Sequence, residues 1–74
     1  MSEDYSNYIF SDPEIMVGKP CIKGTRITVE TILEMLGSGM TPAEIITDFP
    51  NLDETKIRAA LMYAATHLSK GSAA

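Results

Sequence analysis

The sequence predicts a small α+β domain, mainly helical, in which short N-terminal strands or a hairpin lead into three helices. Three observations carry this expectation. Residues 8–27 hold only short apolar stretches, parted by turn chemistry at Asp12 and Pro13, at Gly18, Lys19 and Pro20, and at Lys23 and Gly24. Beyond Ile27 the apolar spacing changes to a helical one. Three helix starts then obey one rule: a capping residue, an apolar residue just before it, and an isoleucine at the fourth helical position.

Residues 1–7 are polar and expected to be flexible, as are residues 70–74, with Gly71 placed to stop a helix. Residues 8–69 between them form one domain, divided into a β-hairpin segment, 8–27, and a three-helix unit, 28–69. Within the first, Cys21 and Ile22 are expected to pair with Thr25, Arg26 and Ile27 across a tight turn at Lys23 and Gly24. The caps of the three helices are Thr28, Thr41 and Asp53, and their staples are Ile27 with Ile32, Met40 with Ile45, and Leu52 with Ile57. The first helix runs from about residue 29 to 38, buries Ile32, Leu33 and Leu36, and stops at Gly37, Ser38 and Gly39. The second start is the most sharply marked, because Thr41, Pro42, Ala43 and Glu44 join a capping box to proline at the first helical position. Pro50 ends that helix near Asp48 or Phe49 by disfavouring helical geometry in the residue before it. The third helix, about 54–69, is expected to bury Ile57, Ala60, Leu61, Ala64 and Leu68. The five methionines read as fillers of irregular core gaps.

A chain of 74 residues builds only a small core, so a homodimer is a natural expectation. The single cysteine excludes an intrachain disulfide and a cysteine-rich zinc site, and the single histidine excludes paired-histidine metal sites. No cofactor is expected, and the cysteine usage fits a reducing cytoplasm. The first ten residues carry acids where a signal peptide would carry bases, and no apolar run approaches the ~20 residues that cross a bilayer, so no membrane association is expected. A net charge of -4 argues against strong non-specific nucleic-acid binding, which comes from phosphates neutralised by Lys and Arg. Any DNA contact must be local.

Two features offer one. A short capped helix, the turn Pro50, Asn51, Leu52, Asp53, and a longer amphipathic helix resemble a helix-turn-helix, with Thr55, Lys56 and Arg58 placed to face a groove. Asp53 and Glu54 share that first turn; the helix dipole explains them, although they would repel phosphate. The stretch KPCIKGTR supplies Lys19, Lys23 and Arg26, three of the six basic residues, with no acid between Glu14 and Glu30. A hairpin carrying them could lie along a phosphate backbone. The competing expectation is that these lysines discourage edge-to-edge strand pairing and that Arg26 pairs with an acid such as Glu30. Exposed strands could also pair across a two-fold axis.

An enzyme is not expected. His67, near a helix C-terminus, reads as a surface residue and Cys21 as a buried, inert thiol. Neither Gly18-Lys19-Pro20 nor Lys23-Gly24-Thr25 sits in a phosphate-binding loop. Tyr63 is expected to cap the core, while Tyr5 and Tyr8 suit either core or interface.

With these residues in view, the chain resembles the small bacterial and archaeal family called domain of unknown function 433. The resemblance runs from about residue 9 to 68 and rests on GKPCIKGTRI, on the Gly-Met-Thr-Pro-Ala-Glu-Ile start of the second helix, and on FPNLDETKIRAALMYA. It implies a hairpin followed by a homeodomain-like three-helix unit related to the VapB-type antitoxins of toxin-antitoxin pairs. The family pattern covers Gly18, Lys19, Pro20, Ile22, Gly24, Thr25, Arg26 and Ile27. It then covers Glu44, Ile45, Pro50, Leu52, Ile57, Ala60, Leu61 and Tyr63, and it brings no catalytic role. The function expected is therefore an antitoxin-like small regulator, binding DNA through its helix-turn-helix and holding a toxin protein by a folded surface or the acidic MSEDYSNY. The alternative is a protein-interaction or dimerisation module without DNA function.

Overall fold

The computed structural model describes residues 5–14 and 16–71. Two short strands, β1 (Ile9–Phe10) and β2 (Cys21–Ile22), pair antiparallel, with Ile9 opposite Ile22 and Phe10 opposite Cys21. Three helices follow: α1 (Val29–Gly37), α2 (Pro42–Asp48) and α3 (Glu54–Gly71). The fold is thus the mainly helical α+β arrangement that the sequence predicts. Residues 1–4 and 72–74, part of the termini expected to be flexible, lie outside the described residues. Tyr5–Asn7 make a 3-10 turn that contacts α3.

The strand pairing differs from expectation in one respect. The chain does turn back at Lys23 and Gly24: Thr25 N–H donates to the Ile22 carbonyl at 2.9 Å, Ile22 N–H donates to the Ile27 carbonyl at 2.9 Å, and Cys21 bridges Thr28. Gly24, at φ +83°, takes the left-handed position that this turn requires. Residues 25–27 nevertheless do not form a strand, and β2 takes β1 as its sheet partner. The Thr25 side chain explains why. Its hydroxyl donates to the Ile22 carbonyl at 2.8 Å and accepts from Ile27 N–H at 3.0 Å, and such local bonds compete with a ladder.

All three predicted caps form. Thr28 Oγ1 accepts from Thr31 N–H at 3.0 Å, and Asp53 Oδ1 accepts from Lys56 N–H at 2.8 Å. At Thr41 the box is reciprocal: its hydroxyl accepts from Glu44 N–H at 3.2 Å while Glu44 Oε1 accepts from Thr41 N–H at 2.9 Å. The end of α1 is equally defined. Gly39 N–H donates to the Leu36 carbonyl and Met40 N–H to the Met35 carbonyl, the bond pair of a Schellman motif, with Gly39 at φ +105°. These caps fix where each helix begins and how α1 hands over to α2.

The core collects the inner residue of each staple. Ile22, Val29, Ile32, Ile45, Leu52, Ile57 and Ala60 form one buried cluster, against which Ile9, Ile27, Leu33, Leu36, Met40 and Tyr63 pack. Both members of every predicted staple pair therefore belong to this core. Leu33 and Leu36 are half-buried where burial was expected.

The stripe expected on α3 needs a larger correction. Ile57 and Ala60 are buried and Ala64 is half-buried, but Leu61 is 44% exposed and Leu68 72% exposed, while Ala59 is buried. The cause is geometric. The packed side of α3 runs through Ile57, Ala60 and Tyr63, and Leu61, one position beyond Ala60, is rotated about 100° from it and so turns outward. Length adds to this: at 1.5 Å per residue α3 is about 27 Å long, whereas α1 and α2 measure only about 14 and 10 Å.

Candidate functional site

Of the positions read from sequence as DNA contacts, Thr55, Lys56, Arg58 and Lys19 divide between the two ends of α3. Thr55, Lys56 and Arg58 lie in its first turns. Thr55 and Lys56 are half-buried and Arg58 is exposed. Lys56 is turned back on the chain, its Nζ donating to the Asn51 carbonyl at 3.0 Å, so its ammonium closes the α2–α3 turn. Arg58 alone of the three is fully outward.

Lys19 belongs to the other end. Its Nζ meets Glu30 Oε1 at 2.9 Å, and both side chains are more than half exposed. The hydrogen bond to Glu30 holds the Lys19 ammonium above lysine's ordinary pKa, helped by the charges of Glu30 and of Glu34 one turn along α1. Glu30 and Pro20 border the same groove as His67 and Leu68. Residue 67 is eleven positions beyond Lys56, or about 16 Å along the helix. The hairpin lysine nearest that groove is thus remote from the first turn of α3. Glu30, expected as a partner for Arg26, is the partner of Lys19 instead. Lys23 and Arg26 are exposed on the turn after β2, and Arg26 lines a shallow depression with Phe10, Gly24 and Thr25.

A further unpartnered feature is apolar. Leu61, Met62, Ala65 and Leu68 are all exposed and recur along α3 at helical spacing, in line with Arg58. Beside them a groove of about 330 Å³ runs between α1 and the second half of α3, walled by Leu33, Tyr63, Ala64, His67 and Leu68. Its floor is stiffened by rings. Tyr63 stacks on His67 at 4.1 Å between centroids, and Tyr5 meets Tyr63 edge-on at 6.0 Å. Tyr5 thereby joins this aromatic cluster, and Tyr8 receives a backbone bond from Lys23 at 2.7 Å. Cys21 is buried, with its Sγ 3.4 Å from the Lys19 carbonyl.

Sequence reading missed this surface because leucines at helical spacing were assigned to the core. The signal was present in the spacing itself: residues 57, 60 and 64 define one line of α3, and 58, 61, 65 and 68 define another. Both lines carry apolar residues.

A short hairpin laid against three capped helices, with the last helix open on its outer side, defines a compact mainly helical α+β domain whose conspicuous surface is an apolar helix face. The chain belongs to the family described as "Protein of unknown function (DUF433)", whose profile matches residues 9–64. It is 32% identical over 63 residues to the "Uncharacterized protein y4eO" of Sinorhizobium fredii, a match covering 85% of this chain and 28% of that protein. It is similar in structure to a DUF433 member protein from Anabaena variabilis, with a TM-score of 0.81 and 26% identity over 86% of this chain and 63% of the other. The chain therefore spans less than a third of the curated relative and under two thirds of the solved one. No helix among the described residues is long and apolar enough to cross a membrane.

Proposed function

We propose that the protein is an antitoxin-like small regulator of a toxin-antitoxin type system, acting in the cytoplasm by protein contact, without catalysis or cofactor. The outward face of α3 is its contact surface. One observation carries this reading: α3 presents Leu61, Met62 and Leu68 to solvent along its outer face, an apolar surface of the kind that marks protein contact. The tethering of Lys56 to Asn51 and of Lys19 to Glu30 supports it, since both bonds occupy ammonium groups that phosphate would need. The antitoxin character rests on the family's resemblance to VapB-type antitoxins, and a toxin protein is the partner class that it suggests.

A second reading has its own support. α2, the four-residue turn and α3 have the order and lengths of a helix-turn-helix, and Arg58 is exposed near the N-terminus of its second helix, the part that meets base edges in such units. In that reading Thr55 and Lys56 assist Arg58, and Lys23 and Arg26 touch the backbone.

Titration of the purified protein against its own upstream DNA and a scrambled duplex, at two salt concentrations, separates the two. The contact reading expects weak, equal binding to both. Tighter and salt-weakened binding to the upstream duplex, abolished by Arg58→Glu, would overturn it in favour of the DNA-binding regulator.

A further inference from the structure

The groove between α1 and the second half of α3 combines the features of a small-ligand site. Tyr63, Ala64 and His67 put it on a different side of α3 from Leu61, Met62 and Ala65, and Leu68 borders both. Its volume, about 330 Å³, lies within the range of small-molecule sites. Leu33, Ala64 and Leu68 give it an aliphatic wall, and the Tyr63 and His67 rings, stacked at 4.1 Å, give it a flat one. Tyr5 buttresses Tyr63 edge-on at 6.0 Å, so the flat wall is held in place from behind. The charges gather at one rim. Glu30 lines the groove and its Oε1 accepts from Lys19 Nζ at 2.9 Å, which sets a carboxylate and an ammonium side by side where the apolar walls end.

We propose that this groove binds a free apolar α-amino acid of the leucine or phenylalanine type, its side chain between α1 and α3 and its charged head on the Lys19–Glu30 pair. The inference goes beyond the contact reading and does not depend on it. The charge pattern selects the head. Lys19 and Glu30 already neutralise each other, so a ligand with a single charge would compete with one partner for the other. A zwitterion instead brings a carboxylate to the remaining N–H groups of Lys19 and an ammonium to the remaining lone pairs of Glu30. Four charges then alternate, and each keeps an opposite neighbour. The walls select the side chain, because an apolar lining rewards the burial of leucine or phenylalanine and offers a polar side chain little in exchange for its hydration. Both members of the ion pair are more than half exposed, so the head is held weakly and a dissociation constant on the order of 1 mM is expected.

Amide chemical-shift titration of the full chain tests the inference, with leucine, phenylalanine, isocaproate, isoamylamine and N-acetylleucinamide as ligands. The two amino acids should shift the amides of Leu33, Ala64 and His67 in a saturable way. Isocaproate lacks the ammonium, isoamylamine lacks the carboxylate, and N-acetylleucinamide, which stands for a leucine within a polypeptide, lacks both charges. Each should bind at least about threefold more weakly than leucine. Glu30→Gln and Lys19→Ala, both at exposed positions, should lower leucine affinity by a similar factor, and Ala64→Leu should abolish binding by filling the groove, with circular dichroism unchanged in all three. Absence of saturable shifts with either amino acid at roughly 20 mM would overturn the inference. Isoamylamine or isocaproate binding as tightly as leucine would also overturn it, because the dipolar head would then contribute nothing. Equal binding of N-acetylleucinamide would overturn it in favour of a polypeptide occupant, and shifts confined to Leu61, Met62 and Ala65 would move the ligand to the outer face. None of these outcomes bears on the DNA titration, so the contact reading stands or falls separately.

Discussion

Two faces of α3 are rich in apolar side chains, but they meet different surroundings. On the inner one Ile57, Ala59 and Ala60 are at most 4% exposed, held under the rest of the domain. On the outer one Leu61, Met62 and Leu68 are 44, 45 and 72% exposed. Both carry apolar residues at helical spacing, so the difference comes from the partners. The inner face meets α1, α2 and the Tyr5–Asn7 turn, and its start is also fixed by the Asp53 cap and the buried Leu52 before it. An apolar residue contributes to a core only where another element reaches it.

The sharpest way to break this comparison is to truncate equivalent side chains on either side of the boundary. Ile57→Ala removes a side chain at the centre of the buried cluster and is expected to cost about 2–5 kcal/mol in urea unfolding, enough to unfold so small a domain in part. Leu61→Ala, one turn later, should cost far less when measured at a concentration that keeps the chain monomeric, within roughly 0.5 kcal/mol. Equal losses at the two positions would mean that the outer face is covered within a single chain.

Next in size is the cap. Asp53→Ala deletes the acceptor of the Lys56 N–H bond at 2.8 Å and should cost about 1 kcal/mol. Thr41→Ala should cost a similar amount, because the reciprocal box at α2 loses one of its two bonds. Either loss should appear as a lower unfolding midpoint at an unchanged denaturant slope. Smaller still is Leu68→Ser, expected to shift monomer stability by less than about 0.5 kcal/mol while reducing the binding of an apolar dye. A large destabilisation by Leu68→Ser would show that the end of α3 is part of the core.

The contrast also explains what could be read from the sequence. Caps and staples are local: Thr28, Thr41 and Asp53 specify helix starts through bonds within four residues, so their pattern is legible without knowing the fold. Which line of α3 faces inward depends on how closely α1 approaches Ala60 and Tyr63, a fact of tertiary packing that leucine spacing does not contain. The strand partner of Cys21 and Ile22 was hidden for a similar reason, since β1 lies eleven residues before β2 and the competing local turn satisfied the same sequence signals. The basic cluster of KPCIKGTR was legible as composition, but the acid that takes Lys19 comes from α1, eleven residues away in the chain.

The smallest expected effect lies at that ion pair, at the border of the second half of α3. Glu30 raises the Lys19 pKa, so any stability the pair contributes is fully present below lysine's unfolded value and is lost as pH rises through the higher folded value. At neutral pH the pair is intact. Both partners are more than half exposed, so solvent and salt screen their attraction strongly, and the side chains lose rotamer freedom in meeting. Lys19→Ala should therefore leave the thermal midpoint at neutral pH unchanged within measurement scatter, in low and in high salt.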